Sequence, residues 1–208
     1  MGCKKANDTT PPIILLKGAN PYPLILNSAY VEPGVIATDN VDGDVSSQVV
    51  INGISSININ LKGTYSVNYT VKDAAGNVYS ATRKVIVVNS ADSLAGNYSV
   101  ADTCLSTIPF AFNSRISVSN TTNGLIKIFD FINVGDSIIA NLTSNDTLIN
   151  FTPSQYLGSG DSLISAVGYA TTVDTSFIGS APKRSIMIYY KWYNGTTTDS
   201  CKATYLHL

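Results

Sequence analysis

The chain has 208 residues, room for one large domain or two small ones. Lys and Arg number 13 and Asp and Glu 14, a net charge of −1, which offers no basic footprint for nucleic acid. The only histidine, His207, leaves any Ser-His-Asp or Cys-His site dependent on that residue and excludes a His-rich metal site. All the acids but Glu32 are Asp, and Ser, Thr and Asn together make 63 residues. With abundant Val, Ile and Tyr, this is an all-β, turn-rich composition. No apolar run reaches the roughly 18 residues of a transmembrane helix. Neither a GxGxxG fingerprint nor a P-loop is present.

The chain opens Met1-Gly2-Cys3-Lys4-Lys5-Ala6-Asn7. A cysteine after a small residue and before a polar stretch resembles the mature start of a bacterial lipoprotein, where Gly-Cys closes the lipobox and the cysteine carries the lipid. The resemblance implies that residues 1–7 are a tether and Cys3 the lipidation site. It also implies an outer-membrane lipoprotein, on the extracellular or periplasmic face, that meets the membrane through its lipid alone. The alternative is a stray cysteine in a polar tail.

Residues 8–89 read as a first domain. From Thr64 to Asp73 the chain alternates, with Tyr65, Val67, Tyr69 and Val71 on one face and Ser66, Asn68, Thr70 and Lys72 on the other. Period two predicts a half-buried strand. Ala74-Ala75-Gly76-Asn77 supplies a turn, and a second strand over 78–88 completes a hairpin. Short apolar runs at 13–16, 24–26, 35–38 and 49–51 are separated by Pro, Gly and Asn. About seven short strands in 80 residues predict an Ig-like β-sandwich. Three segments carry a more specific signal: Asp8-Thr9-Thr10-Pro11-Pro12-Ile13, Gly34 through Asp44, and Gly63 through Asn77 with its Asp73-Ala74-Ala75-Gly76-Asn77 end. Together they resemble the bacterial Ig-like family named after a pesticidal crystal protein. That resemblance implies a spacer or adhesive module of surface proteins, without catalysis.

Asp39, Asn40, Asp42 and Asp44 cluster within six residues. Thr38 stands where an EF-hand needs its first Asp, and no Glu follows at the twelfth position, so this is not an EF-hand. Two readings stay open. One is a turn whose Asx side chains cap their own backbone. The other is a calcium site on Asp39, Asp42 and Asp44; no other cofactor is expected.

Residues 90–93 read as a polar link, and 94–208 as a second domain. Strand-like runs at 97–103, 115–119, 125–131, 137–142, 147–151, 163–170, 185–193 and 197–205 are joined mostly by Asn, Gly, Asp and Ser turns. They predict an eight-stranded antiparallel meander that can close into a barrel. The opening Leu94-Ala95-Gly96-Asn97-Tyr98 is similar to the start of lipocalin-like barrels, where an aromatic plugs one end. Cys104 and Cys201 lie in echoing contexts on the first and last strands. Barrel closure makes those strands neighbours, so a Cys104–Cys201 disulfide is expected in an oxidising compartment, the rival being two buried thiols. Five sites of the type Asp92-Ser93-Leu94 resemble the O-glycosylation signal of exported Bacteroidota proteins; Asp-Ser is also ordinary turn chemistry.

Over 185–193, Ile186, Ile188, Tyr190 and Trp192 form an apolar face, expected as core. Met187, Tyr189, Lys191 and Tyr193 form the other. Tyr189, Lys191 and Tyr193 are the candidate ligand site, since two tyrosines flanking a lysine can stack and hydrogen-bond sugars. The bland reading is a strand face with tolerated aromatics. The leading functional expectation is a non-enzymatic surface lipoprotein whose Ig-like spacer presents a barrel that binds a glycan or other surface ligand, alongside partner outer-membrane proteins. The rivals are a purely structural or adhesive module and an Asp-dependent glycoside hydrolase.

Overall fold

The computed structural model describes residues 8–133, 135–143, 147–157, 161–172 and 184–208. The tether 1–7 and Cys3 lie outside them. The chain divides into two compact units, one up to Val88 and one from Asn89 onward.

The first unit contains β1 (Ile13–Leu16), β2 (Tyr22–Ile25), β3 (Val35–Asp39), β4 (Gly43–Asp44), β5 (Val50–Asn52), β6 (Gly63–Lys72) and β7 (Val78–Val88). They form two sheets, ordered β1-β3-β4 and β2-β7-β6-β5. Every pairing is antiparallel except β2 on β7. These are Ig-like sheets. The alternation read from β6 is the observed one: Val67, Tyr69 and Val71 are buried together with Ile14, Leu24, Ala37, Val85 and Val87. The β6–β7 turn is held by Asp73, whose Oδ1 accepts from the amides of Gly76 (2.6 Å) and Asn77 (2.8 Å).

One inward position of β7 is a cation, Arg83, which is fully buried. Its guanidinium donates to the carbonyls of Ala19 and Lys17, each at 2.6 Å, and to the Tyr69 hydroxyl at 3.1 Å. It also pairs with Glu32 Oε1 at 3.4 Å. Burial alone would raise the Glu32 carboxyl. Hydrogen bonds from Tyr30, Tyr69 and the Gly34 amide, with the Arg83 charge, outweigh it and hold the group below its ordinary value.

The second unit contains β8 (Gly96–Cys104), β9 (Phe110–Val118), β10 (Leu125–Phe129), β11 (Ser137–Leu142), β12 (Leu148–Phe151), β13 (Gln155–Tyr156), β14 (Ser162–Thr172), β15 (Arg184–Tyr193) and β16 (Thr198–His207). β8 to β12 follow as a meander, β12 pairs with β14, and β14-β15-β16 returns to β8. The result is a closed eight-stranded antiparallel barrel, with β13 as a short addition beside β14. Closure removes the open edges that invite aggregation. At the β12–β14 seam Gly168 faces Ile149, and a Cβ there would sit 3.2 Å from the Ile149 Cβ. Inward residues from all sides form one core that includes Tyr98, Ile116, Ile128, Phe131, Ile138, Ile149, Ile188 and Tyr205.

Residues 90–93, expected as a link, are part of this unit. Ala91 and Leu94 are fully buried, and 92–94 form a 3-10 turn. The reason is Asn89, only 2% exposed. Its side-chain amide donates to the carbonyls of Ser119 and Thr122, each at 2.9 Å. Its Oδ1 accepts from the amides of Ala91 (3.0 Å) and Gly124 (2.8 Å). The start of the unit is thereby pinned to the turn between β9 and β10. Tyr98 is buried and its hydroxyl donates to the Leu94 carbonyl at 2.8 Å. Gly96, at φ +154, packs against the His207 ring so closely that any Cβ would overlap it.

Candidate functional site

On β15 the two faces separate as period two requires. Ile186, Ile188 and Tyr190 are buried and Trp192 packs partly buried against the same core. Tyr189 and Tyr193 face outward, 43% and 37% exposed. Register then decides what surrounds them. Ala166 of β14, Tyr190 of β15, Cys201 of β16 and Cys104 of β8 stand in one inward row across four strands. The row on one side is Val167, Tyr189, Lys202 and Thr103. On the other stand Ser165, Lys191 and Ser200, with the Leu105 amide bonded to the Ser200 carbonyl at 3.2 Å.

These same residues line an open pocket of about 830 Å³. Because the middle row points inward, its main chain forms the floor and the two outward rows form the walls. The pocket is therefore a groove on the outer barrel surface. Its walls mix an aromatic ring, apolar Val167 and Leu105 (87% exposed), two ammonium groups and three hydroxyls, Thr103, Ser165 and Ser200. Among the described residues, none that lines it is acidic. Tyr189 is braced by Tyr169, ring centroids 6.4 Å apart at 70°, and Lys202 Nζ sits 5.8 Å from its centroid.

Of the three candidates from sequence, the structure brings Tyr189 and Lys191 together in this groove. Tyr193 is not among its lining residues; its hydroxyl donates to the Gly195 carbonyl in the following turn at 2.7 Å. Lys202, Thr103 and Leu105 escaped sequence reasoning because only the strand register places them beside Tyr189.

Beneath the floor, Cys104 and Cys201 are register partners joined by a disulfide. The Tyr190 hydroxyl donates to Asp102 Oδ2 at 2.5 Å, and Asp102 is fully buried. Burial pushes the Asp102 carboxyl up, against the opposing hydrogen bonds from Tyr190 and the Thr103 amide. Asp199 goes the other way: bonds from the Ser106 hydroxyl, first of all, outweigh burial and hold it low. Neither acid lines the groove.

In the first unit the proposed calcium trio does not gather. Asp39 Oδ1 accepts from the amides of Val41 (2.8 Å) and Asp42 (2.9 Å). Asp42 Oδ2 takes the Ala74 amide at 2.7 Å. Exposed Asp44 caps the Ser46 amide at 2.9 Å, and the bonds from Ser46 hold its carboxyl low. Asx capping thus occupies Asp39 Oδ1 and Asp44, while Asp42 is turned to the Ala74 amide after β6. The acids whose oxygens converge with Asp39 are Asp8 and Asp73.

Residues 14–87 match the family model described as bacterial surface protein, Ig-like domain. The match does not show the pesticidal crystal-protein type that the motifs suggested. No curated protein matches the chain significantly. Among solved structures, a lipoprotein from Bacteroides thetaiotaomicron is similar at 21% identity, covering 93% of this chain and 98% of that one, with a TM-score of 0.36. The structure of CBM51-2 in complex with GlcNAc and INT domains from Clostridium perfringens ZmpB is similar at 15% identity, covering 93% of this chain and 43% of that one, with a TM-score of 0.30.

Proposed function

We propose that this chain is a non-enzymatic cell-surface lipoprotein, anchored through Cys3, whose Ig-like unit acts as a spacer and whose barrel binds a glycan in the outer groove between Tyr189 and Lys191. The surface setting rests on the family match over 14–87. The binding reading is carried by one observation: an aromatic ring, two lysines and three hydroxyls share one open groove with no acid among its described lining residues. A tyrosine face removes the apolar C–H surface of a sugar from water, while ammonium and hydroxyl groups answer its polar edge. Two cations and no acid favour glycans that carry carboxylate or sulfate. A hydrolase would need two carboxylates flanking a substrate, and Asp102, whose carboxyl is raised, is buried inside the barrel.

The test is an array of neutral and acidic oligosaccharides probed with the full chain and with Tyr189→Ala and Lys202→Ala. Binding should fall about ten-fold or more for each variant, equivalent to roughly 1.4 kcal/mol, with the melting temperature unchanged. An array with no bound glycan, or a Tyr189→Ala protein that binds as before, would leave the spacer reading in its place. Release of reducing sugar from an acidic polysaccharide would instead establish a hydrolase.

A further inference from the structure

The Ig-like unit gathers three acids from distant parts of the chain. Asp8 precedes β1, Asp39 ends β3 and Asp73 follows β6, yet one carboxylate oxygen of each lies within 4.8 Å of the others. Asp39 is 9% exposed and Asp73 5%.

Local hydrogen bonds explain only part of this cluster. The Asp39 Oδ1 atom is spent on the Val41 and Asp42 amides. Asp73 Oδ1 takes the Gly76 and Asn77 amides, and its Oδ2 takes the Asn77 side chain at 2.8 Å. Asp8 Oδ1 accepts from the Thr10 amide at 3.1 Å. That leaves Asp8 Oδ2 and Asp39 Oδ2, both buried and both without a partner. A buried carboxylate oxygen with nothing to accept carries an uncompensated desolvation cost. Three like charges at this spacing also repel one another. A divalent cation answers both deficits at once.

We propose that Asp8, Asp39 and Asp73 bind one calcium ion through Asp8 Oδ2, Asp39 Oδ2 and the Asp73 carboxylate. The donors are all hard oxygens, which selects calcium or magnesium over softer metals. The carboxylates are fixed by turns with unrelated geometry, and such irregular sites suit calcium's flexible six to eight ligands better than the strict octahedron of magnesium. Bound there, the ion ties the segment before β1 to the β3–β4 turn and the β6–β7 hairpin. The Asn77 side chain already spans part of that gap, donating to the Asp8 carbonyl at 3.1 Å.

The test is calorimetric titration of chelator-treated full-length protein with CaCl2 and, separately, MgCl2. Asp8→Asn keeps the oxygen that accepts from Thr10 and removes the charge; Asp44→Asn neutralises an exposed acid outside the cluster. Wild type should take up one calcium per chain. Asp8→Asn should weaken uptake by about ten-fold or more, since affinity follows the anionic ligand count, while Asp44→Asn leaves it unchanged. Calcium should also raise the melting temperature of wild type in proportion to the logarithm of its concentration above Kd. Absence of calcium uptake, wild-type affinity in Asp8→Asn, or equal weakening by Asp44→Asn would overturn the site. Equal affinity for MgCl2 would overturn its assignment to calcium.

Discussion

Asn89 offers the sharpest check on where the second unit begins. Its side chain makes four hydrogen bonds, two donated to carbonyls of 119 and 122 and two accepted from amides of 91 and 124. Asn89→Ala removes them all and leaves the buried amides without partners. At about 1 kcal/mol net per bond, the loss is roughly 4 kcal/mol. For a unit of this size, each kcal/mol moves Tm by about 3–5 °C, so the shift expected is roughly 12–20 °C. Asn89→Asp should do no better, because it sets a carboxylate against the Ser119 and Thr122 carbonyls. Scanning calorimetry of the full chain reads the result, in the transition of the second unit. Were 89–93 a solvated connection, both substitutions would stay within about 0.5 kcal/mol, the range of ordinary surface changes. A shift under about 3 °C would refute the reasoning.

Two further predictions rest on other links of the chain. The Glu32 carboxyl is held low in the fold. Its contribution is therefore complete above the unfolded carboxylate range, about pH 4.3, and is lost as pH falls through the folded value. Glu32→Gln should cost the Ig-like unit about 3 kcal/mol at neutral pH, the low end for breaking a buried pair, because Arg83 keeps its carbonyl partners. It should also flatten the loss of Tm between pH 6 and 3 (approximate bounds set by the same titration), and an unchanged slope would sink the linkage. Cys3→Ala in the precursor should release the protein from the membrane fraction, and retention there would end the anchor proposal.

Period two was legible wherever one strand face meets a core, as in β6 and β15, and it located the eight barrel strands, although β9 starts at Phe110, five residues before the reading placed it. The inward position of Arg83 was not: hydropathy sends a charge outward, and it is Glu32, the Tyr69 hydroxyl and three carbonyls, all distant in sequence, that make its inward place tolerable. Asn89 hid for a related reason. It closed the first domain as read, beside a Ser-Ala-Asp-Ser stretch with the composition of a link, and the bonds that bury it run to residues 30 or more positions away. The acid cluster shows the same limit. Asp39, Asp42 and Asp44 are close in sequence, but Asp39 and Asp44 each cap amides of their own turn and Asp42 takes the distant Ala74 amide, whereas Asp8 and Asp73 arrive from other segments to meet Asp39.

The barrel interior also decides where a ligand site can be. Tyr98, Phe131, Tyr190 and Tyr205 fill it with packed rings, Phe131 and Tyr190 meeting edge-on with centroids 5.1 Å apart. A ligand entering there would displace side chains whose removal from such cores costs about 3–5 kcal/mol each. The outer surface carries no such cost, and its Tyr and Lys side chains meet in the groove over β14, β15, β16 and β8. Of the junctions under that groove, β8 with β16 is the one between the ends of the unit, 97 positions apart at the cysteines. A pairing so distant in sequence has the largest loop-closure entropy to overcome and gains most from a covalent link. The disulfide lies in the row forming the groove floor, directly between Thr103 and Lys202 on one wall and Ser200 and Leu105 on the other. It therefore locks together β8 and β16, the two end strands that both walls cross.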